Sequence, residues 1–433
     1  MKNKKKCVLA YSGGLDTSAI TIWLAQRGYE IHAVLVDVGQ QEDLPVLAEK
    51  ALRLGAKSAV IRDAKPEMCS TVIPYAIGLG ATYEGNYRLG TALARPFIAA
   101  EQVRLAKVLG GATLVHGATG KGNDQIRFEF AYRSLAPDYP VLAPWKCWEL
   151  TGRKDMIEYL HAAGVEDEYA LSKDFSLDEN LLHLSVEGSE LEDPEAFVDV
   201  SEVLRSVSGR FTAGPAADTA PQLVRVTFEG GVPVALEGRS TPLSEILARL
   251  NQYYRTADWA WDLVIENRFT GIKSRGLYIN PAAKLLSTAV DALARCRLNK
   301  PTYDGYCELG RRYGTMLYRG EYFSDQRVML EAAASAVLRH LSGEVTVHLS
   351  PRPYAARIDA PGAIFRKALS TFEKSDFSHQ DAAGFIQLAW LSQVGQRFVE
   401  KPDGGIVETG WEAGSDLRVD QPLPAGGLVS AAV

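Results

Sequence analysis

Residues 1–165 alternate between short apolar runs and amphipathic stretches, and this alternation is the strongest constraint on the fold. The apolar runs are continuous, which is typical of strands in a parallel sheet whose two faces are both covered by helices. The predicted strands are CVLAY (Cys7–Tyr11), IHAVLVDV (Ile31–Val38), SAVIRD (Ser58–Asp63), TLVHGA (Thr113–Ala118) and PVLAPW (Pro140–Trp145). The predicted helices are Thr17–Arg27, Glu42–Leu54, Arg95–Leu109 and Lys154–Ala163. The pattern predicts an α/β fold with a Rossmann-like sheet, whose ligands bind at the carboxyl ends of the strands.

The rhythm changes after about residue 167, where a mixed α+β domain is predicted. QLVRVTFEGGVPVALEG is typical of a hairpin around Gly230 and Gly231, and Gly209–Gln222 is a loop by composition. Further helices and strands are predicted at Pro242–Tyr254, Ala282–Arg295, Asp325–His340, EVTVHLS and PYAARIDA.

The last predicted helix, Asp381–Lys401, carries more apolar side chains than a peripheral helix needs. It packs either on another subunit or on its own domain, and the pattern alone does not separate these readings. The Gly- and Pro-rich tail, residues 402–433, is expected to be loosely ordered. We therefore divide the chain into residues 1–166, 167–375, 376–401 and 402–433.

Charge and cysteine usage argue against several classes of protein. A net charge of -6 and a pI near 5.8 are not typical of a nucleic-acid-binding protein. The 5 cysteines are scattered without CxxC spacing, which favours a reducing compartment over a disulfide framework or a zinc site. There is no apolar run of about eighteen residues and no signal-peptide core. We expect a cytoplasmic protein with no membrane or nucleic-acid partner, and we predict no metal-ligand set.

The segment VLAYSGGLDTSAI (Val8–Ile20) places a Gly-Gly turn between a strand and a helix. Glycines let the backbone approach a ligand closely, and the unpaired N–H groups of a helix N-terminus favour a phosphate. The polar side chains of the turn are Ser12, Asp16, Thr17 and Ser18. Asp16 can cap the helix or hold Mg²⁺. A plain turn with an Asp or Thr cap remains the alternative, and the loop matches neither a Walker A motif nor GxGxxG.

A second polar group follows the fourth predicted strand, in GATGKGND. Arg127 lies one helical turn from Asn123 and Asp124. An amino-acid site needs an Arg for the carboxylate and carboxylates or carbonyls for the ammonium, and an Asn can both donate and accept. Taken singly, Asp124 can be a helix cap and Arg127 a solvated charge.

SGGLDTS resembles the phosphate loop of the N-type ATP pyrophosphatases, and AYSGGLDTS is similar to the form in argininosuccinate synthases. Five further segments resemble that family in the same order: YEGNYRLGTALARP, HGATGKGNDQIRFE, APWK, FSLDENLLHLSVEGSELEDP and IENRFTGIKSRGLY. The resemblance covers roughly residues 5–280 strongly and becomes looser beyond them.

The resemblance implies an adenine nucleotide alpha hydrolase-like ATP-binding domain, an α+β synthetase domain, and a C-terminal oligomerisation helix in a homotetramer. It also implies the reaction of ATP, citrulline and aspartate to argininosuccinate, AMP and pyrophosphate, with Mg²⁺ as cofactor. In that reaction the ureido oxygen of citrulline attacks the α-phosphate, and the aspartate amine then displaces AMP. Such chemistry needs alignment and charge stabilisation more than a protein nucleophile.

The resemblance further implies the site residues, with Asp16 and Asp124 as the catalytic pair. The residues implied for ATP are Ala10, Tyr11, Ser12, Gly13, Gly14, Leu15, Asp16, Thr17, Ser18, Val36 and Gly117. The residues implied for aspartate are Thr119, Asn123 and Asp124. The residues implied for citrulline are Tyr87, Asn123, Arg127, Ser176, Ser185, Glu266 and Tyr278. Thr91 is also counted among the substrate-binding residues. Without the resemblance, the two serines are ordinary loop residues and Tyr278 is a packed aromatic. A buried Glu266 needs a cation, either from a ligand or from Arg268 or Lys273.

Two departures from the family pattern bear on the acceptor. Arg88 and Ala92 stand where the family usually has Leu and Ser, so a hydroxyl is missing and a charge is added. INPAAKL also differs from the family, and Val36 is larger than usual. They motivate an alternative, a paralogue that adenylates a different ureido or carboxyl acceptor. A tRNA-modifying enzyme that shares the loop would need catalytic cysteines or CxxC pairs and a basic RNA-binding face, and this sequence shows neither. A non-catalytic nucleotide-binding module leaves GATGKGND and IENRF unexplained.

Overall fold

The computed structural model describes residues 5–120, 122–165, 175–208, 221–255, 257–371, 376–394, 398–400 and 406–408. The chain forms two compact units, Met1–Ile364 and Phe365–Val433.

The first unit begins with the predicted parallel sheet. Its strands are β1 (Lys6–Ala10), β2 (Glu30–Asp37), β3 (Ser58–Asp63), β4 (Thr113–Val115) and β5 (Val141–Leu142), in the order β3-β2-β1-β4-β5. Alternate residues of β1 enter different cores, with Val8 and Ala10 on one face and Cys7 and Leu9 on the other. Because both faces are buried, the strand is apolar throughout, and the Rossmann-like prediction is confirmed.

Seven helices of the described chain surround this sheet. They are α1 (Leu15–Gln26), α2 (Leu44–Arg53), α3 (Lys65–Ser70), α4 (Val72–Gly78), α5 (Gly90–Val108), α6 (Asn123–Leu135) and α7 (Arg153–Ala162). The predicted start of α5 at Arg95 is wrong, since the helix begins at Gly90. The predicted strand Thr113–Ala118 is also too long, because β4 ends at Val115 and a loop then leads to α6. Likewise, β5 ends at Leu142, and Pro144–Lys146 form a 3₁₀ turn.

Two antiparallel sheets complete the first unit. Their strands are β6 (Ser176–Glu179), β7 (Leu184–Glu187), β8 (Leu223–Glu229), β9 (Val232–Leu236), β10 (Arg239–Ser240), β11 (Trp261–Asn267), β12 (Lys273–Ile279), β13 (Gly343–His348) and β14 (Tyr354–Asp359). One sheet has the order β11-β12-β7-β6 and the other β10-β9-β8-β13-β14. The β8–β9 hairpin turns at Gly230 and Gly231, with φ of 56° and 77°, as predicted.

The helices of this part are α8 (Val200–Ser208), α9 (Leu243–Tyr254), α10 (Pro281–Arg297), α11 (Lys300–Tyr318) and α12 (Asp325–Leu338). One continuous core joins them to the parallel sheet: Val8 of β1, Leu286 of α10 and Val345 of β13 belong to the same buried cluster. The predicted loop Gly209–Gln222 lies outside the described residues except at its last two positions.

The second unit contains α13 (Lys367–Ser370), α14 (His379–Val394) and the antiparallel pair β15 (Phe398–Glu400) and β16 (Ile406–Glu408). The predicted helix end at Lys401 is wrong, because α14 ends at Val394 and residues 398–400 are a strand. The predicted tail lies outside the described residues except for β16. Among the described residues, no helix combines the length and apolar character needed to cross a membrane.

Candidate active site

A cavity of about 490 Å³ opens at the carboxyl ends of β1, β2 and β4. Its opposite wall is the inner face of the β11-β12-β7-β6 sheet. All the predicted site residues line this cavity except Gly13, Leu15 and Ser18. The topology thus joins positions that are far apart in the sequence, and it does so at the sheet edge where parallel α/β folds bind ligands.

The Gly-Gly turn shapes the end of the cavity at β1. Gly13 has a φ of 75°, which favours glycine, and a Cβ there would lie 2.4 Å from Cδ2 of Leu47 and displace that side chain. Gly14 is the N-cap of α1 and is exposed to the cavity, as is Ser12. Thr17 Oγ1 lies 3.3 Å from Ser12 Oγ and 3.3 Å from the carbonyl oxygen of Gly14. The turn therefore presents a helix N-terminus and two hydroxyl groups, a suitable site for an anion.

Leu15 and Ser18 lie on the other side of α1. Leu15 packs against Met156 and Leu160 of α7. The Ser18 amide donates to the carbonyl oxygen of Gly14 at 3.1 Å, and its hydroxyl lies 3.3 Å from the hydroxyl of Tyr11. These side chains anchor the helix beneath the turn.

Asp16 lines the cavity just inside the start of α1 and does not cap the helix, since Gly14 is the N-cap. Burial raises the pKa of Asp16, although its own amide, the nearby Trp145 indole and the charge of Arg153 oppose that rise. A cation beside this carboxylate would favour its ionised form.

Asp124 accepts hydrogen bonds from two arginines. Arg95 Nε donates to Oδ2 at 2.8 Å, and Arg127 Nη1 donates to Oδ1 at 2.9 Å. Arg95 also reaches the opposite wall, where its Nη2 donates to Oδ2 of Asp178 at 2.7 Å. Burial acts to raise the pKa of Asp124, but the guanidinium groups of Arg95 and Arg127 outweigh it and lower that pKa. Asp124 is thus ionised and fixed in direction.

A hydroxyl and an imidazole extend this network. Thr91 Oγ1 donates to Asp178 Oδ2 at 2.9 Å and lies 3.0 Å from His183 Nε2. Because its one proton goes to a carboxylate that can only accept, His183 Nε2–H donates to Thr91. Burial lowers the pKa of His183 to about 4, so the ring is neutral near pH 7. The Thr91 hydroxyl is therefore committed to two protein partners.

Asn123 and Arg127 are both buried and both contact Tyr318 of α11. Asn123 Nδ2 donates to the Tyr318 hydroxyl at 2.8 Å, and Asn123 Oδ1 accepts from the Phe269 amide at 2.8 Å. Arg127 Nε donates to the Tyr318 carbonyl oxygen at 3.1 Å, and Arg127 is 3% exposed. The N-cap of α6 is Gly122, so Asp124 is not a cap and Arg127 is not a solvated helix charge.

Glu266 of β11 lies at the other end of the cavity. Its Oε1 is 3.3 Å from Ser274 Oγ and 3.4 Å from the Tyr278 hydroxyl, which both donate to it. Its Oε2 is buried and has no hydrogen-bond partner among the described residues. Burial raises the pKa of Glu266 despite the nearby charge of Arg127. Lys273, one of the predicted counter-ions, donates instead to Asn267.

The remaining predicted substrate-binding residues also line the cavity. Ser176 and Ser185 belong to strands β6 and β7 rather than to loops. Tyr87 is buried and packs edge-on against Tyr278, with ring centroids 4.9 Å apart. Thr119 is exposed on the loop before α6 and lines the cavity.

Two protein-family models together match most of the chain: "Arginosuccinate synthase N-terminal HUP domain" over residues 6–166 and "Arginosuccinate synthase C-terminal domain" over residues 175–394. The argininosuccinate synthase of Pelotomaculum thermopropionicum is 38% identical over 402 residues, which cover 92% of this chain and 99% of that protein. The argininosuccinate synthase of Caldanaerobacter subterraneus subsp. tengcongensis is 39% identical over 398 residues, covering 90% of this chain and 95% of that protein.

The chain belongs to the argininosuccinate synthase family. The two departures from the family pattern are placed outside the cavity wall. Arg88 Nη1 donates to Ser287 Oγ at 2.7 Å, and Arg88 Nε lies 3.8 Å from Asp262 Oδ2. Ala92 is fully buried, and neither Arg88 nor Ala92 lines the cavity. The hypothesis of a different acceptor therefore gains no support from these two positions.

For this argininosuccinate synthase family member, sequence reasoning missed several residues of the cavity. The missed polar residues of its lining include Arg95, Asp178 and Glu187. His183 and Tyr318, which hold Thr91 and Asn123, were missed as well. Arg95 and Asp178 both lie within quoted motifs, LGTALARP and FSLDEN. The available signal was the single charge, Arg95, inside the otherwise apolar GTALARPFIAA helix. A buried arginine needs an acidic partner, so this charge predicts a carboxylate close to it.

Proposed function

We propose that this chain catalyses the ATP-dependent joining of citrulline and aspartate to argininosuccinate, with release of AMP and pyrophosphate through a citrullyl-adenylate. The observation that carries the proposal is the single cavity that joins a strand–Gly-Gly–helix turn to the Asp124, Arg127 and Glu266 side chains. In a chain of this family, that cavity offers a phosphate site and an amino-acid site side by side.

The phosphates of ATP would lie on the turn at residues 12–14 and the N-terminus of α1. Val36 and Gly117, which also line the cavity, would contact the nucleoside. This places the α-phosphate between the turn and the amino-acid end of the cavity.

Citrulline would bind at the Glu266 end, among Arg127, Ser176, Ser185, Tyr87 and Tyr278, with its ureido group towards the α-phosphate. Its ureido oxygen forms a bond to the α-phosphorus, and the bond to the departing pyrophosphate breaks. No protein nucleophile is needed for this displacement, so the contribution of the chain is alignment and charge stabilisation.

Aspartate would bind beside Thr119, Asn123 and Asp124. Its amine attacks the activated carbon, loses a proton, and displaces AMP as the carbon–oxygen bond breaks. Asp124 is ionised by its two arginine partners and can orient the aspartate ammonium before that proton leaves.

Mg²⁺ fits the cavity as a partner of the bound nucleotide. No group of three or more His, Cys, Asp and Glu side chains suited to a metal occurs in the described part of the chain. Mg²⁺ is commonly held by one or two carboxylates together with phosphate oxygens, and Asp16 is a carboxylate beside the proposed phosphate site. When bound there, the ion would neutralise phosphate charge.

We also propose an ATP-binding domain over residues 1–166, a synthetase domain over 167–375, an oligomerisation helix within 376–401 and a tail from 402 onwards. The boundaries of the two matching family models, 6–166 and 175–394, agree with the first division. Within residues 379–390 of α14, the part whose side chains the structure describes, the exposed apolar residues include Phe385, Ile386, Leu388 and Trp390. Contacts between the subunits of a homotetramer would cover these side chains. We place this assembly in the cytoplasm, with no nucleic-acid or membrane partner. Sedimentation of the full chain and of a Leu388→Glu variant tests this assembly.

The activity is tested by following AMP release from ATP while citrulline and aspartate are omitted one at a time. Argininosuccinate detected by mass spectrometry only when all three substrates are present supports the proposal. Asp124→Asn and Arg127→Leu should abolish product, whereas Arg133→Leu, an exposed arginine of the same helix, should not. An inactive wild type, or turnover with another carbonyl compound but not with citrulline, would overturn it.

A further inference from the structure

Helix α2 lies against the Gly-Gly turn between β1 and α1. Leu47 and Lys50 are one helical turn apart on α2, so they share a face of that helix. Leu47 packs on the core of the parallel sheet and contacts the turn at Gly13, where a Cβ would lie 2.4 Å from its Cδ2. Nζ of the half-buried Lys50 donates to the carbonyl oxygen of Gly13 at 3.3 Å. Both contacts of α2 therefore fall on one residue of the turn.

The contact with Lys50 sets the direction of the peptide group between Gly13 and Gly14. In a planar trans peptide the carbonyl oxygen and the amide hydrogen point in opposite directions. Gly13 and Lys50 lie outside the lining of the cavity, whereas Gly14 belongs to it. The Gly14 carbonyl is engaged by α1, since it accepts from the Ser18 amide and the Thr17 hydroxyl. A Gly13 oxygen held by Lys50 thus directs the Gly14 N–H towards the cavity.

Lys50 also brings a positive charge to the turn. The turn carries a carboxylate of its own, Asp16, whose charge opposes the binding of a phosphate group. Arg153 acts on Asp16 from α7, and Lys50 adds a second cation from α2. Pyrophosphate carries more negative charge than the phosphate of AMP, so a cation beside the turn favours pyrophosphate more strongly.

We propose that Lys50 is a positioning residue for the departing pyrophosphate. It fixes the Gly13–Gly14 peptide with its amide towards the phosphates, and it adds charge where pyrophosphate leaves. This inference rests on the proposed function and deepens it, because that function places the phosphates of ATP on the turn. It gives α2 a part in the first step, in which the ureido oxygen bonds to the α-phosphorus and the bond to pyrophosphate breaks.

The test measures the binding of two probes, magnesium pyrophosphate and AMP, to the full chain by calorimetry. Lys50→Met should weaken pyrophosphate binding about 10- to 100-fold, the range for one hydrogen bond from a charged group. AMP lacks the β- and γ-phosphates, so its affinity should stay at the wild-type value. Lys50→Arg keeps the charge and a donor and should recover most of the pyrophosphate affinity, whereas Lys50→Gln keeps only a donor and should recover less. In steady-state kinetics, Lys50→Met should raise KM for ATP and leave KM for citrulline and aspartate unchanged.

Arg53→Met, exposed in the last turn of the same helix, is the matched control and should behave as wild type. Circular dichroism establishes that each variant is folded. Unchanged pyrophosphate affinity in Lys50→Met, or an equal loss of AMP affinity, would overturn the role of Lys50. A wild type that binds pyrophosphate through Lys50 but forms no argininosuccinate would instead overturn the proposed function, and the assignment of Lys50 to the phosphate site would stand.

Discussion

Arg95 donates a hydrogen bond from Nε to Oδ2 of Asp124 at 2.8 Å, across the gap between α5 and α6. The same guanidinium also binds Asp178 on the opposite wall, so one side chain connects the parallel-sheet part of the cavity to the antiparallel sheet. The direction of the Asp124 carboxylate therefore depends on a residue whose contacts span both walls.

Replacing Arg95 should disable the enzyme by releasing the two carboxylates that it fixes. Arg95→Met leaves Asp124 and Asp178 without their shared cation, and we expect kcat to fall by about 10²–10³-fold, as for loss of a preorganised charge partner. Arg95→Lys should recover little, because an ammonium group does not reproduce the planar fork that binds two carboxylates. Steady-state kinetics with aspartate as the varied substrate measures the effect.

Arg104→Met, on the exposed side of the same helix, is the control for the Arg95 variants. It removes an exposed ion pair with Glu67, which contributes about 0–1 kcal/mol to stability. It also removes a pair with the buried Glu101, which keeps Arg62 as a second partner at 3.7 Å. Circular dichroism establishes whether each variant is folded, since breaking a buried pair costs about 3–5 kcal/mol. A folded Arg95→Met enzyme with near wild-type kcat would contradict the prediction.

Gly90→Ala should weaken the contact between Thr91 and His183. A Cβ at position 90 would lie 2.3 Å from Cδ2 of the His183 ring, so the ring must move. We expect a stability loss of about 1–3 kcal/mol from overpacking, with a decrease in kcat/KM. Gly305→Ala, in the exposed part of α11 with open space around it, should instead stabilise the protein by about 0.5–1 kcal/mol. Urea unfolding of both variants measures these changes in stability. A Gly90→Ala variant with unchanged stability would show that the ring has room to shift.

His183 should make the stability depend on pH in a defined window. The unfolded chain binds a proton near the ordinary pKa of 6.5, whereas buried His183 stays neutral until about pH 4. Between these values the unfolded state binds more protons, so the stability contributed by the neutral ring is present above pH 6.5 and is lost as the pH falls to 4. At ~1.4 kcal/mol per pKa unit, the loss is on the order of 3 kcal/mol.

His183→Gln keeps a donor near Thr91 but has no titrating group there. The difference in unfolding free energy between wild type and this variant, measured in urea from pH 4 to 7, should shrink or change sign towards acid. A difference that stays constant over this range would show that the ring is protonated alike in both states.

The parallel sheet could be predicted because its information is local. The central strands β1 and β2 are buried on both faces, so each appears as a continuous apolar run, and SGGLDTS follows the first of them. By contrast, α11 has no such pattern. Its Gly310 and Gly314 lie against the backbone of residues 79 and 82, where a Cβ would be 2.5 Å and 2.2 Å from carbonyl oxygens. Tertiary contact therefore requires glycines that helix propensity alone disfavours.

The same distinction between local and tertiary information applies to the site residues. Asn123, Asp124 and Arg127 lie within one helical turn, so the sequence could group them. The partner of Arg95, Asp178, is 83 positions away, and Tyr318 is 195 positions from Asn123. Neither pairing follows from spacing. The roles of Arg88 and Ala92 could not be judged either, since only the fold shows that the cavity wall excludes them.

Glu187 lines the cavity in which citrulline would bind, and it should give citrulline turnover a pH dependence that 5-ureidopentanoate, the same molecule without its α-amino group, lacks. The groups that act on Glu187 are Asp124, Glu266 and Asp178, which raise its pKa with burial, and Arg268, which lowers it. With a pKa of about 7, the carboxylate is ionised above that pH and protonated below it. Only the ionised form attracts an ammonium group, so kcat/KM for citrulline should fall about tenfold per pH unit below 7 and level off above it.

Glu187→Gln should remove this limb of the profile, and wild-type turnover of 5-ureidopentanoate should not show it. Glu42, whose pKa burial and the charges of Glu179 and Asp178 also raise to about 7, is the matched control. Because Glu42 precedes α2 and is not part of the β7 face, Glu42→Gln should keep the citrulline limb. If Glu42→Gln abolishes the limb and Glu187→Gln leaves it in place, the titrating group lies on the β2 side of the cavity. The pH dependence of citrulline turnover then does not come from Glu187.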